Sequence, residues 1–264
     1  MSAATGRPLA GLHAVVTGAS RGIGEAAVEE LARLGANLTL MGRDAARLEA
    51  NADRLRRQSD IRTAAVAVDV GRPEGIVRAF AQATEALGAV TILVNNAGVA
   101  SAAPAVRTSL DEWNRLLAID LTGPFLCTQQ VLKGMVAAKF GRIVNVASTA
   151  GLTGYAYVAA YCAAKHGLIG LTRALAIELA RSGVTVNAVC PGYTDTAIVA
   201  ETVNKIVAKT GRTPDQALAE LTAHNPQGRL VRPDEVASSI GWLCLPASAA
   251  VTGQSILVAG GELM

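Results

Sequence analysis

The stretch "LHAVVTGASRGIG", Leu12 to Gly24, passes from a short apolar run into Gly18, Gly22 and Gly24, with Arg21 among them. The run before the glycines is Val-rich and free of acidic residues, as a buried strand is. The segment after them, "GEAAVEELARLG", carries apolar residues three and four apart, the spacing of a helix with one buried face. A strand leaving through glycines into a helix makes an anion site. The helix N-terminus presents unpaired N–H groups and the positive end of its dipole, and glycine lets the main chain come close to a phosphate. The G-x-x-x-G-x-G spacing is one residue wider at its start than the usual dinucleotide fingerprint, and a plain tight turn is the competing reading.

Working outward, the same strand-and-helix unit recurs. "HAVVT", "NLTLM", "TAAVAVD", "TILVNN", "GRIVNVAS", "VTVNAVC" and "SILVA" are short, rich in Val, Ile or Leu and nearly free of charge. Between them lie stretches of helical period such as "DAARLEANADRLRRQ" and "PEGIVRAFAQATEALG". About seven alternations predict an α/β fold: a single domain spanning residues 1–264, built on a doubly wound, Rossmann-like parallel sheet with helices on both faces. From Tyr193 to Pro233 the alternation stretches, with "ETVNKIVAKTG" and "DQALAELTAH" lacking a strand of their own. An insertion of about residues 193–230 above the carboxyl ends of the strands is expected to be a substrate lid.

Composition narrows the function. A 264-residue chain that is 51% hydrophobic buries a large core, and a net charge of +3 with scattered Lys and Arg gives no nucleic-acid surface. The start "MSAATGRPLAG" lacks the apolar stretch of a signal peptide, and the uncharged run from Ala89 to Val106 is interrupted by Asn95, Asn96, Gly98 and Pro104. A soluble, cytoplasmic protein with no membrane partner is the expectation. Cys127, Cys162, Cys190 and Cys244 form no CxxC pair, and His13, His166 and His224 show no ligand spacing to them, so free thiols and no metal site are expected.

The acid–base chemistry concentrates near "GRIVNVAS" and the helix after it. Tyr161 and Lys165 are four apart in "AYCAAKHGLIGLTRALAIEL", so their side chains share one helix face. An ammonium beside a phenol is expected to lower the tyrosine pKa from about 10, making Tyr161 the proton donor to a carbonyl or the base for an alcohol. Ser148 follows a strand at the carboxyl edge, where its hydroxyl can polarise a carbonyl. Taken singly, the first two would be a surface pair and the third a cap. His166, rotated about 100° from Lys165, reads as structural.

Taken together these motifs resemble the short-chain dehydrogenases/reductases over almost the whole chain. The family's T-G-x-x-x-G-x-G stands at Thr17 to Gly24, its N-N-A-G at Asn95 to Gly98, its Ser and Tyr-x-x-x-Lys at Ser148, Tyr161 and Lys165, and its P-G turn at Pro191 and Gly192. The resemblance implies a nicotinamide-dependent enzyme interconverting carbonyls and secondary alcohols, commonly as a homotetramer. It implies that the first turn, Gly18, Ser20, Arg21, Gly22, Ile23 and Gly24, holds the cofactor's phosphates. Asp69 and Val70 would flank the adenine; Asn95, Ala97 and Gly98 would line its ribose. Lys165 would bond the nicotinamide ribose, and Thr194 and Thr196, after Pro191 and Gly192, would meet the carboxamide and phosphate side. One position departs: where the family has an asparagine that orders a water behind the lysine, this chain has Asp120, which accepts hydrogen bonds but cannot donate the amide's.

The second strand runs into Gly42 and Arg43 with no acid at its end, so Arg43 together with Arg21 resembles the family's NADP(H) users and disfavours NAD(H). Asp44 is the rival ribose ligand, and it reads better as the cap of "DAARLEA". The stretches 147–167 and 209–230 look most like reductases of β-keto or β-hydroxy acyl compounds, including thioester-linked ones. Steroids, sugars and small ketones stay open as substrates. A non-catalytic dinucleotide sensor, or an NAD-dependent dehydrogenase of another small alcohol, is the alternative; the Ser148, Tyr161, Lys165 set argues against the sensor.

Overall fold

The computed structural model describes residues 6–263; residues 1–5, the start of the segment in which no leader was expected, and Met264 lie outside the described part. Seven strands form one parallel sheet: β1 (His13–Thr17), β2 (Asn37–Gly42), β3 (Thr63–Ala67), β4 (Ile92–Asn95), β5 (Gly141–Val146), β6 (Val184–Pro191) and β7 (Ser255–Val258). Their order is β3-β2-β1-β4-β5-β6-β7, every pairing parallel. The chain winds one way from β1 to β3 and the other way from β4 to β7, so a crevice opens between the carboxyl ends of β1 and β4, where ligands bind in such sheets.

Side chains of successive strand residues point to opposite faces, and both faces are covered. On one side Ala14, Val16, Leu38, Leu40, Ile92 and Val94 meet Val28 and Leu31 of α1 (Gly22–Arg33), Leu48 and Leu55 of α2 (Ala45–Gln58), and Val236, Ile240 and Leu243 of α9 (Pro233–Cys244). On the other, Val15, Met41, Leu93, Ile143 and Val186 meet Ile76 and Phe80 of α3 (Pro73–Leu87) and Val131 and Met135 of α5 (Gly123–Ala137), with Leu175 of α6 (Ala159–Glu178). The strictly alternating partition, Val15 to one layer and its neighbours to the other, is what a doubly wound sheet requires.

Two features bear on the site. Between α4 (Leu110–Leu117) and α5 the helix widens into a π turn, Ala118–Thr122, a geometry often found where a helix must aim a functional side chain. The 193–230 region forms α7 (Ala197–Thr210) and α8 (Pro214–Thr222), as its sequence predicts, with an isolated parallel bridge between Thr194 and Val231 joining its two ends. No helix of the described residues is long and apolar enough to cross a membrane, and no cluster of metal-ligating side chains occurs among them. All four cysteines are free; burial pushes the thiols of Cys127 and Cys244 up to about 12 and that of Cys190 to about 11.

Candidate active site

The glycine turn sits at the open end of the crevice. Gly18 has φ +68°, and a Cβ there would stand 2.8 Å from Asn96 Nδ2 and 2.9 Å from Ala97 Cα, so this position is closed to any side chain. Helix α1 starts at Gly22 with Arg21 as an extended N-cap that makes no side-chain cap, leaving the first-turn N–H groups directed outward for an anion. Two asparagines brace the turn. Asn96 Nδ2 donates to the carbonyls of Thr17 (2.9 Å) and Gly18 (3.2 Å), and buried Asn51 reaches the carbonyls of Ala19 (3.4 Å) and Ser20 (3.3 Å). Thr17 Oγ1 accepts from the N–H groups of Asn96 (3.0 Å) and Ala97 (3.1 Å), locking the ends of β1 and β4 together. The methyl of Thr196 would stand 3.1 Å from a Cβ on Gly22, which places the start of α7 over the turn. A cradle of bare main chain at a helix N-terminus fits a dinucleotide's pyrophosphate.

Beside the turn, Arg21 and Arg43 are exposed, and neither forms an ion pair among the described residues. Asp44 is occupied as the cap of α2, its Oδ1 accepting from the Arg47 N–H at 3.1 Å. The acid expected to rival Arg43 is thus engaged by its own helix.

Across the crevice, α6 presents Tyr161 and Lys165 on one face, with Lys165 Nζ 5.5 Å from the centre of the Tyr161 ring. Ser148, just past β5, is near enough to the Tyr161 phenol to pull its pKa down, and its Oγ accepts from the Ala150 N–H at 3.1 Å. It is both cap and site residue. Lys165 is buried and donates to the Val146 carbonyl at 3.0 Å, and its Nζ stands 3.2 Å from Asp120 Oδ1. Asp120, fully buried in the π turn, also accepts from the Val99 N–H, at 3.3 and 3.4 Å. A carboxylate in place of the asparagine therefore pairs with the lysine directly.

The electrostatics of this trio correct one expectation. Burial pushes the Tyr161 phenol above its ordinary value; Lys165 pulls it down, and Asp120 opposes that pull. The net direction is upward, not the lowering that the spacing of phenol and ammonium suggests, because desolvation of a phenolate outweighs one neighbour whose charge is already shared with a carboxylate. For Lys165, burial alone would lower the pKa, but Asp120 and Tyr161 carry it above the ordinary value, so the ammonium persists at neutral pH. Burial raises Asp120, with Lys165 holding it back.

The family model for short chain dehydrogenase matches residues 12–206, which include the turn, the trio and Ser148. The chain is a short-chain dehydrogenase. Similar proteins include one from Streptomyces violaceoruber named for ketoacyl reduction in the granaticin polyketide synthase, 41% identical over 94% of this chain and 92% of that one. The 3-oxoacyl-(acyl-carrier-protein) reductase FabG of Aquifex aeolicus is 36% identical over 96% and 98%. Among solved structures, a tryptophan-substituted actinorhodin polyketide ketoreductase with NADPH superposes with a TM-score of 0.91 at 38% identity, covering 95% of this chain and 97% of that one. As a member of this family the chain is an oxidoreductase with a nucleotide-binding, Rossmann-like fold.

In the dehydrogenase the expected cofactor residues make the following contacts of their own. Asn95 turns its side chain into the core, where its Nδ2 reaches Asn145 Oδ1 (2.9 Å), Thr128 Oγ1 (3.2 Å) and the Pro124 carbonyl (3.4 Å). The alternation of β4 sends it inward and leaves Asn96 for the turn. Val70 is packed in the α3 layer, while half-buried Asp69 accepts from the Gly71 N–H at 2.9 Å. Thr194 is buried, its hydroxyl donating to the Gly192 carbonyl at 3.0 Å; Thr196 Oγ1 donates to the Thr194 carbonyl at 3.2 Å. Pro191 ends β6 and Ala97 and Gly98 follow β4, all at the carboxyl edge. Ile23 lies in the first turn of α1. His166 is exposed, its Nδ1 2.9 Å from the Cys162 carbonyl, in keeping with a structural role. Sequence reasoning missed Asn51, Asn145 and Thr172, polar residues whose partners lie 27 to 50 positions away. A buried polar residue inside an apolar strand, as in "RIVNV", was the available signal for Asn145.

Proposed function

We propose that the protein is an NADP(H)-dependent reductase of β-keto acyl compounds, producing secondary alcohols. The observation that carries this reading is the joining of Ser148, Tyr161 and buried Lys165 at one carboxyl edge, across the crevice from the glycine turn. Gly18, Ser20, Gly22, Ile23 and Gly24 would hold the pyrophosphate, Arg21 and Arg43 the 2′-phosphate, and Asp69 with Ala97 and Gly98 the adenosine end. Lys165 would bond the nicotinamide ribose, and Pro191, Gly192, Thr194 and Thr196 would flank the ring and phosphates. A reduced nicotinamide bound there supplies hydride to the substrate carbon. The chain's own residues manage the oxygen. Ser148 donates a hydrogen bond that polarises the carbonyl, and Tyr161, kept protonated by its buried setting, hands over the phenolic proton as the alkoxide forms. Lys165 steadies the tyrosinate left behind, and Asp120 fixes the ammonium in place.

The β-keto acyl substrate and NADPH rest on the names of the similar proteins together with two exposed arginines free of ion pairs. A lid over residues 193–230 and a homotetramer belong to the same reading; exposed Val106, Leu110, Trp113, Phe125 and Ile177 offer apolar surface for association. Four free thiols accord with a reducing cytoplasm.

The test is a panel of β-keto esters and thioesters with NADPH and NADH, run on the parent, Tyr161→Phe and Arg43→Ala. The parent should oxidise NADPH faster than NADH. Tyr161→Phe should keep nucleotide affinity and lose roughly 100-fold or more in kcat, the scale of a lost general acid. Arg43→Ala should weaken NADPH alone, seen as a selective rise in its KM. No turnover across the panel with intact NADPH binding would favour a sensor.

A further inference from the structure

In the segment that follows Ser148, Tyr155 joins two groups. Its hydroxyl donates to Glu262 Oε1, and its oxygen lies 2.9 Å from Thr149 Oγ1. A phenol has one proton, so the carboxylate receives it and the Thr149 hydroxyl donates to the phenol oxygen. Thr149 follows Ser148 in the chain, so the hydrogen-bonded run of Thr149, Tyr155 and Glu262 begins one residue from Ser148. The second carboxylate oxygen lies 2.8 Å from where a Cβ on Gly192 would stand, which brings the C-terminal tail against the P-G turn after β6. Tyr193, the next residue, is close enough to feel two of these groups: burial raises its phenol, and Glu262 and Tyr161 raise it further.

Glu262 has no cation. Among the described residues it makes no ion pair, and Arg229, which borders the same hollow beneath the tail, is held by both oxygens of Glu235 at 2.7 and 2.8 Å. Half-buried Glu262 is fixed by one neutral hydrogen bond and lies beside the P-G turn with no cation paired to it.

We propose that Glu262 is a specificity residue that sets the charge of the substrate: it turns away β-keto acids with a free carboxylate beside the carbonyl and admits the neutral esters and thioesters of the same acyl groups. The inference rests on the β-keto reading of the site and deepens it. Within a partly solvated cleft, two like charges several Å apart lose of order tenfold in affinity.

Matched substrates decide it. Acetoacetate and ethyl acetoacetate are compared as a ratio of kcat/KM, ester over acid, in the parent, Glu262→Gln and Glu262→Lys. Gln keeps an acceptor for Tyr155 and loses the charge, so the ratio should fall about tenfold, and Lys should drive it lower still. If both substrates decline together and the ratio holds, Glu262 only pins the tail and the inference is overturned. Calorimetric titration of the enzyme–NADP complex with the same pair reads the preference without turnover. A parent that reduces neither substrate but binds ester over acid, with the preference lost in Glu262→Gln, would overturn the β-keto reductase reading and uphold the charge filter; equal binding of the pair by the parent would overturn the filter alone.

Discussion

Asp120 is the residue that most distinguishes this site. An amide at that place would be neutral, whereas a carboxylate 3.2 Å from Lys165 Nζ commits the ammonium to a buried ion pair. In the reduction Tyr161 must start protonated, so the rate is full below the phenol's pKa and falls as pH rises through it. Burial raises that pKa, Lys165 lowers it and Asp120 raises it again, while Asp120 also holds Lys165 above its ordinary value. Asp120→Asn removes a raising cause from both groups. The alkaline limb of kcat for reduction should therefore move to lower pH, measured under saturating NADPH; a limb that stays put or moves up would show that the carboxylate does not act on the pair.

Helix α6 carries the phenol and the lysine, so its seating on the sheet decides whether they meet the substrate. A buried polar strut does the seating. Asn95 on β4 donates to Asn145 on β5 at 2.9 Å, Asn145 donates to Thr172 on α6 at 2.9 Å, and Thr172 donates to the Leu168 carbonyl at 2.8 Å. Asn145 and Thr172 are wholly buried, where an unpaired partner is costly. Asn145→Ala takes one partner each from Asn95 and Thr172 and opens a small void, which should cost about 2 kcal/mol and lower Tm by roughly 4–8 °C in calorimetry. Since the glycine turn is braced by Asn51 and Asn96 instead, nucleotide affinity should change little.

Across the molecule, what the sequence made legible and what it hid divide along a physical line. The seven strands follow from local period and composition, which the chain carries within each segment. The glycine turn and the Tyr161–Lys165 face are equally local. Asn95 and Asn96 look alike in "NNAG", and only the register of β4 against β1 and β5 sends one inward and the other to the turn. The upward direction of the Tyr161 pKa is collective, set by how much packing surrounds the ring. Glu262 meets Tyr155 across 107 residues, a proximity no spacing rule reaches.

The interior strand β1 pairs with β2 on one edge and, on the other, with β4, which follows only after two further strands and three helices. During synthesis on the ribosome its first edge can be satisfied early, while the second stays bare until β4 has emerged. Asn96 and Ala97, which close the anion cradle through Gly18 and Thr17, arrive at that same moment. NADPH should accordingly protect from protease those arrested nascent chains that expose Ala97 and leave shorter ones untouched, so that the nucleotide would be a ligand of the half-made protein as well as of the finished one.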